Sequence, residues 1–430
     1  MPKAEPEAEV GPVLRLYGWR SRPLLGVAML SAAVGFSQFS PAAILADVAD
    51  YFGEPGPGDS VAEQAGLSGT VLGIGLALVR LASVAAIVLA AVADRRGRRI
   101  TALRWATLGL VVTIAAAAAP GYWTLVAALA VARPLLSATN TIAGVLAAEL
   151  TTSDQRAMAL AMIAGAYGVG TGAVVVSRAV FDLGFRGVLL LTLVPLILLA
   201  VCARSLVEPD RFLLGESERI AQPMRLAFAR GLRRRLAVVA ALVFGAALIT
   251  GPANTLLFVY AENVLDASEG FTAALVVAGA PTGLAGLLLG RLVADRLGRR
   301  PAAASGLFLL AVSVMVAYSG TQVLLVVGFL ASVLFGSVFS PPALAMVNEL
   351  FPTEVRASVA GWVGVSGILG ATLGLFVVGS SADALGSFSA ALAVVCVPAA
   401  AIAALAWAVP ETRGLELEQS SLNPDGTPLV

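Results

Sequence analysis

Twelve times in this 430-residue chain, a run of about twenty positions passes with almost no charge. The runs fall at roughly 24–46, 66–93, 100–119, 123–148, 157–180 and 187–205, then at 236–261, 272–293, 301–320, 323–347, 357–380 and 387–409. A helix of about twenty apolar residues crosses the hydrocarbon of a bilayer. Backbone polar groups in lipid must be satisfied within the segment, so runs of this length fold as helices and not as open strands. Hydrophobic residues make up 58% of the chain and charged ones 13%, against roughly 45–50% and about 25% in soluble domains. The expected fold is an all-α membrane protein with twelve transmembrane helices and the lipid bilayer as its solvent. Interior prolines at Pro41, Pro134, Pro195, Pro252, Pro281, Pro341 and Pro342 predict kinks whose freed carbonyls neighbouring helices cover.

Several kinds of chemistry are excluded at once. The chain has no histidine, which removes histidine-based triads, metal ligands and proton switches. Cys202 and Cys396 lie in apolar runs and suit neither a disulfide framework nor a zinc site. No metal site and no cofactor is expected. No G-x-x-x-x-G-K-[ST] loop occurs, which argues against an ATP-driven machine. A net charge of +1 gives no case for nucleic acid as a partner. The first run, preceded by Arg15, Arg20 and Arg22, is too long for a signal-peptide core and is expected to stay as an anchor. An enzyme is not expected.

Orientation follows from the arginines. They crowd the loop at 94–99, the segment 204–235, the loop at 295–300 and position 356. The alternate loops, 47–65 and 262–271, hold no Lys or Arg but carry Asp47, Asp50, Glu54, Asp59, Glu63, Glu262, Asp266 and Glu269. Positive charge stays on the cytoplasmic side, so both termini are expected in the cytoplasm. The chain then divides into a first six-helix bundle with a short tail (1–205), a cytoplasmic linker (206–235), a second bundle (236–410) and a cytoplasmic tail (411–430).

Two sequence landmarks occur twice. Val92–Arg99 reads VADRRGRR and Val293–Arg300 reads VADRLGRR, with Asp94 and Asp295 separated by 201 residues. Glu149-Leu150 through Asp154, Arg156 and Ala157 matches Glu349-Leu350 through Glu354, Arg356 and Ala357, 200 residues on. Two unrelated landmarks at nearly one offset indicate a duplicated half, and parallel repeats are one architecture of secondary transporters.

D-R-x-G-R-R at these two places resembles the signature loop of the major facilitator superfamily. Glu149 with Arg156, and Glu349 with Arg356, have the E-x6-R spacing of its sugar-porter and metabolite-symporter branch. Glu208 and Arg211 stand where that branch has P-E-S-P-R, and Pro410-Glu411-Thr412-Arg413-Gly414 resembles its P-E-T-K-G. The resemblance covers all twelve spans. It implies two pseudo-symmetric six-helix bundles that rock about a central site. It also implies a secondary-active or facilitative transporter of a small organic solute, a functional monomer in the cell membrane. The rival readings are a drug or metabolite exporter and, from another class, a non-transporting receptor on the same scaffold.

In the family the charges at the arginine-rich loops form a latch. Here they are Asp94, Arg98, Arg99, Glu149, Arg156, Glu208 and Arg211 in the first half, and Asp295, Arg299, Arg300, Glu349, Arg356, Glu411 and Arg413 in the second. Carboxylate–guanidinium pairs bridging the halves would hold that side shut, and breaking them would shift the population. The alternative is that the arginines set topology and nothing more. The family also packs its fifth and eleventh spans across the seam between halves. That places the strings Gly165, Gly168, Gly172 and Gly361, Gly364, Gly367, Gly370, Gly374 on a sliding surface.

Ionisable residues inside a span are functional candidates by default. Arg80 and Arg133 lie 14 and 16 residues above Asp94 and Glu149, roughly 21–24 Å along a helix. They are expected to face one cavity at one height, where two guanidiniums suit a carboxylate or phosphate on a substrate. Pairing with Asp47 or Asp50, or snorkelling towards the outer face, is the alternative. Further cavity candidates are Ser37, Gln38, Asn140, Tyr167, Asn254, Thr255 and Tyr260. Proton-coupled relatives carry Asp after a Gly-Phe in the first span; here Gly35-Phe36 precedes Ser37 and Gln38. Either a coupling proton therefore sits on Asp47 or Asp50, or transport is not coupled in the usual way. Of the amides and Trp with which hexose porters grip sugar, only Asn254 has a counterpart; the others fall on Ala164, Leu248, Ile249 and Leu344. That set argues against a hexose.

Overall fold

The computed structural model describes residues 15–53, 66–152, 155–210, 228 and 231–414. Arg211, Glu54, Asp59, Glu63 and Asp154, most of the linker and the tail beyond 414 lie outside the described residues. Among the described residues, twelve helices are long and apolar enough to span a membrane: Arg22–Ala43, Gly69–Arg96, Arg98–Ala118, Tyr122–Leu150, Met158–Phe181, Gly184–Cys202, Arg233–Thr255, Glu269–Leu297, Arg299–Ala317, Gln322–Glu349, Ser358–Leu385 and Phe388–Ala408. They are called spans one to twelve in that order.

The local sequence sets where these helices start and stop. Ser68 and Ser268 cap spans two and eight, each side chain accepting from the backbone N–H three residues on. Thr321 and Ser387 do the same for spans ten and twelve. The octapeptides break the helix at Gly97 (φ 97°) and Gly298 (φ 112°), a backbone region L side chains rarely enter. This is why each octapeptide needs its glycine, and it lets two antiparallel spans follow with no connecting loop. Span seven ends at Thr255, and a π-helical turn, Val259–Val264, follows. Such turns redirect side chains, and this one carries Glu262.

Each half packs as a bundle. In the first, span one lies on spans four and five, and span four on spans two and three. In the second, span seven lies on span eleven, and span ten on spans eight and nine. The halves meet mainly through spans two and eleven and through spans five and eight. The expected glycine seam differs from this. Gly370 and Gly374 abut the backbone of Phe244 and Leu248 in their own half, and nothing lies within 4 Å of a Cβ built on Gly165, Gly168, Gly172 or Gly364. The glycines that join the halves are Gly69, Gly73 and Gly379. A Cβ on Gly73 would stand 2.6 Å from the Leu375 carbonyl and 2.9 Å from the Gly379 Cα. Regular glycine spacing reports a close helix neighbour, but not which neighbour.

Candidate functional site

Two cavities share one wall at the middle of the spans, and Arg80 and Arg133 are in that wall. The smaller, of about 310 Å³, is bounded by Gln38, Arg80, Arg133, Tyr167 and Thr171 of the first half and by Thr250, Asn254 and Thr255 of the second. The larger, of about 780 Å³, runs from the same two arginines past Ser83, Ser137 and Thr141 to the exposed Asp94 at the arginine-rich end; Gly361 and Gly364 form its opposite side. Arg133 donates to the Gln38 carbonyl at 2.8 Å and, at 3.4 Å, to the Ser83 hydroxyl. The Gln38 side chain accepts from the Tyr167 hydroxyl at 2.9 Å and donates to Ser137 at 3.0 Å. No ion pair or hydrogen bond holds the Arg80 guanidinium among the described residues, and its Nε is buried without a partner, as is the Thr171 hydroxyl. Among the described residues, Asp94, at the far mouth, is the one carboxylate lining either cavity.

Three of the expected cavity groups sit elsewhere. Ser37 donates to Thr113 on span three at 2.9 Å. Asn140 accepts from Ser31 at 3.2 Å, where spans one and four pack. Tyr260 is 2% exposed; it stacks on Tyr318 and accepts the Gly320 N–H at 2.9 Å. These polar side chains satisfy one another between helices, and sequence alone does not separate that use from facing a cavity.

The acidic end is shut by a cluster the sequence pattern did not reveal. Arg178, 3% exposed near the end of span five, donates to Asp47 at 2.5 and 2.9 Å and to Glu262 at 2.7 and 2.9 Å. Glu269 stands 3.6 Å from the same guanidinium. Asp47 belongs to the first half and the two glutamates to the second, so a single arginine ties the bundles together. Beside it Asn263 donates to Asp50 at 2.5 Å, and Asp383 on span eleven accepts the N–H groups of Gly69 and Thr70 at 2.7 and 2.8 Å. That last contact places a carboxylate at the start of span two, where the helix dipole favours it.

Asp50 stands beside this latch, outside the spans. Burial first, then the neighbouring Asp47 and Glu262 charges, push its carboxyl above the ordinary 3.8, against the opposing pull of Asn263 and Arg178. A raised acid binds its proton more tightly in the closed latch than when hydrated. Closure gains from protonation fully below about pH 3.8, and the gain fades as pH rises through the latched group's higher value. Acidification from about pH 7 to 4 is expected to favour the closed acidic end. Asp50→Asn should flatten that dependence, read as labelling of a cavity cysteine from the acidic side across the range.

At the arginine-rich end the charges pair within each half, in matching patterns. Arg98 forms an ion pair with Glu149 and lies 3.5 Å from Asp94. Arg299 contacts Glu349 at 3.2 Å and Asp295 at 2.8 Å. Glu208 accepts the backbone N–H groups of Arg98 and Arg99 at 2.5 and 3.0 Å. Glu411 accepts those of Arg299 and Arg300 at 2.8 and 3.1 Å. Burial would raise the Glu411 carboxyl, but N–H donors from Arg299, Arg300, Arg413 and Thr412 together hold it below the usual carboxylate range. Arg156 and Arg356 donate to the carbonyls of Ala148 and Phe351 and not to the glutamates that bracket them in sequence. Arg413 meets Glu411 only through its backbone N–H. The pairs expected to bridge the halves therefore join residues of the same half in this conformation, in which the acidic end carries the closure. The two pairs differ in burial: Arg98 and Glu149 are 4% and 10% exposed, Arg299 and Glu349 both 18%. Removing one partner of a buried pair costs about 3–5 kcal/mol. Glu149→Ala is thus expected to lower the melting temperature in detergent more than Glu349→Ala.

Known proteins agree with this architecture. The Major Facilitator Superfamily profile matches residues 25–293 and 270–430. A solved D-xylose-proton symporter superposes with a TM-score of 0.70 at 16% identity, covering 91% of this chain and 98% of its own. The inward open conformation of the xylose transporter XylE from E. coli gives 0.70 at 16% identity, with 92% and 99% covered. A bacterial homologue of the human lysosomal transporter Spinster, inward-facing and unoccupied, gives 0.68 at 14% identity, with 90% and 97% covered. No curated protein sequence matches significantly. Twelve spans in two halves, the doubled octapeptide and a profile match along nearly the whole length lead to one conclusion: the chain belongs to the Major Facilitator Superfamily.

Proposed function

We propose that this protein carries a small organic anion across the cell membrane by alternating access. The observation that supports this reading is the position of Arg80 and Arg133, two guanidiniums in the wall of a midspan cavity with no carboxylate beside them. The small cavity draws residues from both halves, as a site must if a bound solute is to couple their motion. Its volume of about 310 Å³ lies at the low end of small-molecule sites, roughly 300–1,000 Å³. With the arginine-rich end in the cytoplasm, the conformation is inward-facing: the large cavity leads to Asp94 while Arg178 and its acids shut the outer end. The carrier acts as a monomer, with the gating carboxylates and arginines of each half exchanging partners as the inner end closes.

The solved symporter of similar fold takes D-xylose with a proton. A sugar site needs many amide partners; here Gln38 spends its amide on Tyr167 and Ser137, which leaves Asn254. A coupling proton has Asp47 and Asp50 at the outer latch as its candidate carriers. The test is uptake by purified protein in liposomes, screening organic anions, sugars and cationic drugs with and without a pH gradient. Arg80→Ala and Arg133→Ala are expected to cut anion uptake at least about 100-fold, the effect of about 2.7 kcal/mol on a barrier. Unchanged uptake in both correctly inserted variants would remove the anion reading.

A further inference from the structure

Three arginines near the ends of their spans are compensated by carboxylates; among the described residues, two at mid-span are exceptions to this pattern. Arg178 meets three carboxylates within 4 Å, Arg98 meets two, and Arg299 meets two. Arg133 has only a neutral carbonyl and a neutral hydroxyl, and Arg80 has neither carboxylate nor hydrogen bond among the described residues. Both exceptions border the same two cavities. From this contrast we infer that the carrier is an exchanger of small dianions, dicarboxylates or phosphate esters, and does not return across the membrane empty. The inference rests on the anion reading above and adds to it the charge of the substrate and the mode of the cycle.

The physics lies in the half-cycle between the two open states. In the present conformation the large cavity joins the arginines to Asp94 and the aqueous mouth, so water solvates the two charges. Switching requires that mouth to close before the acidic end has opened. An empty carrier would then enclose two guanidiniums with no counter-ion in a medium of low dielectric, and charges buried in this way are strongly disfavoured. A dianion at the wall cancels the net charge and supplies acceptor oxygens to the fork of each arginine. The loaded carrier crosses readily and the empty one slowly. Asn254, exposed to the small cavity on span seven, and the unpartnered Thr171 hydroxyl on span five are placed to read the remaining polar groups of the solute.

The test uses full-length protein in liposomes with four radiolabelled probes: succinate, malate, glycerol 3-phosphate and the monoanion lactate. Each is offered to vesicles preloaded with the same unlabelled compound or with potassium chloride. At least one dianion is expected to enter the self-loaded vesicles on the order of 100-fold faster than the chloride-loaded ones, the ratio set by a barrier difference of about 2.7 kcal/mol. Lactate should show no such stimulation. Arg80→Gln, which leaves one cation to enclose, should shrink the ratio at least about tenfold and improve lactate relative to succinate. Its elution as a monodisperse species in detergent controls for folding. Equal dianion entry into both kinds of vesicle would overturn exchange and leave an anion uniporter or symporter. Uptake of lactate alone would overturn the dianion assignment. Failure of every anion, with uptake of a sugar or a cationic drug, would overturn the anion reading itself.

Discussion

Arg178→Ala is expected to release the acidic end of the molecule. The guanidinium is 3% exposed and is the shared donor to Asp47 in one half and Glu262 in the other. Without it, Asp47, Glu262 and Glu269 face one another across the seam as uncompensated like charges. Removing one partner from a buried ionic network costs about 3–5 kcal/mol. If that cost falls on the closed state alone, the balance between closed and open shifts roughly 150- to 5,000-fold toward open. The halves can relieve the strain by parting, so the loss should appear as a change of conformation and not as unfolding. The readout is an impermeant maleimide added from the acidic side to Asn254→Cys, in a background with Cys202 and Cys396 replaced by alanine. Fast labelling is expected in the Arg178→Ala background and slow labelling without it. Arg178→Lys keeps the charge but not the fork that serves two carboxylates, and should fall between. Equal labelling in all three would mean that the cluster does not hold the halves together.

Gly73→Leu is expected to reach a similar end by steric means. The backbones of spans two and eleven touch at Gly73 and Gly379, and a Cβ at position 73 would lie 2.6 Å from a carbonyl oxygen that belongs to helix backbone. A rotamer change cannot clear such a clash; the spans must separate. Overpacking commonly costs about 1–3 kcal/mol, and here a rotation of whole bundles can relieve it. The variant should insert normally, label from the acidic side and lose transport, because the conformation closed at the acidic end requires this contact. Gly165→Leu is the control: nothing lies within 4 Å of a Cβ there, and little change is expected. Transport by Gly73→Leu at the wild-type rate would show that the seam is softer than its backbone contacts imply.

The number of spans and the duplication were legible because each has a dominant physical cause. Bilayer thickness dictates run length, and a copied half repeats its landmarks at one offset. The place of Arg80 and Arg133 beside one cavity was legible for the related reason that charge at mid-span is costly. Arg178 escaped notice because it lies near a helix end, where an arginine ordinarily reads as a boundary residue, and its partners come from three distant stretches of chain. One trace was present: loops rich in acids with no local base imply a buried cation elsewhere. The E-x6-R spacing was visible but did not predict pairing, since Arg156 and Arg356 find carbonyls nearer than carboxylates. Ser37, Asn140 and Tyr260 show the same limit for neutral polar groups: sequence gives their depth in the membrane, and packing decides which way they face.

Glu208 and Glu411 have a mechanical consequence. Each follows the last helix of its bundle and fastens it to the first turn of the third, through two backbone donors that no side-chain replacement can remove. A brace of this kind stiffens a six-helix unit against internal shear. Two blocks braced in this way deform most easily at the seam between them.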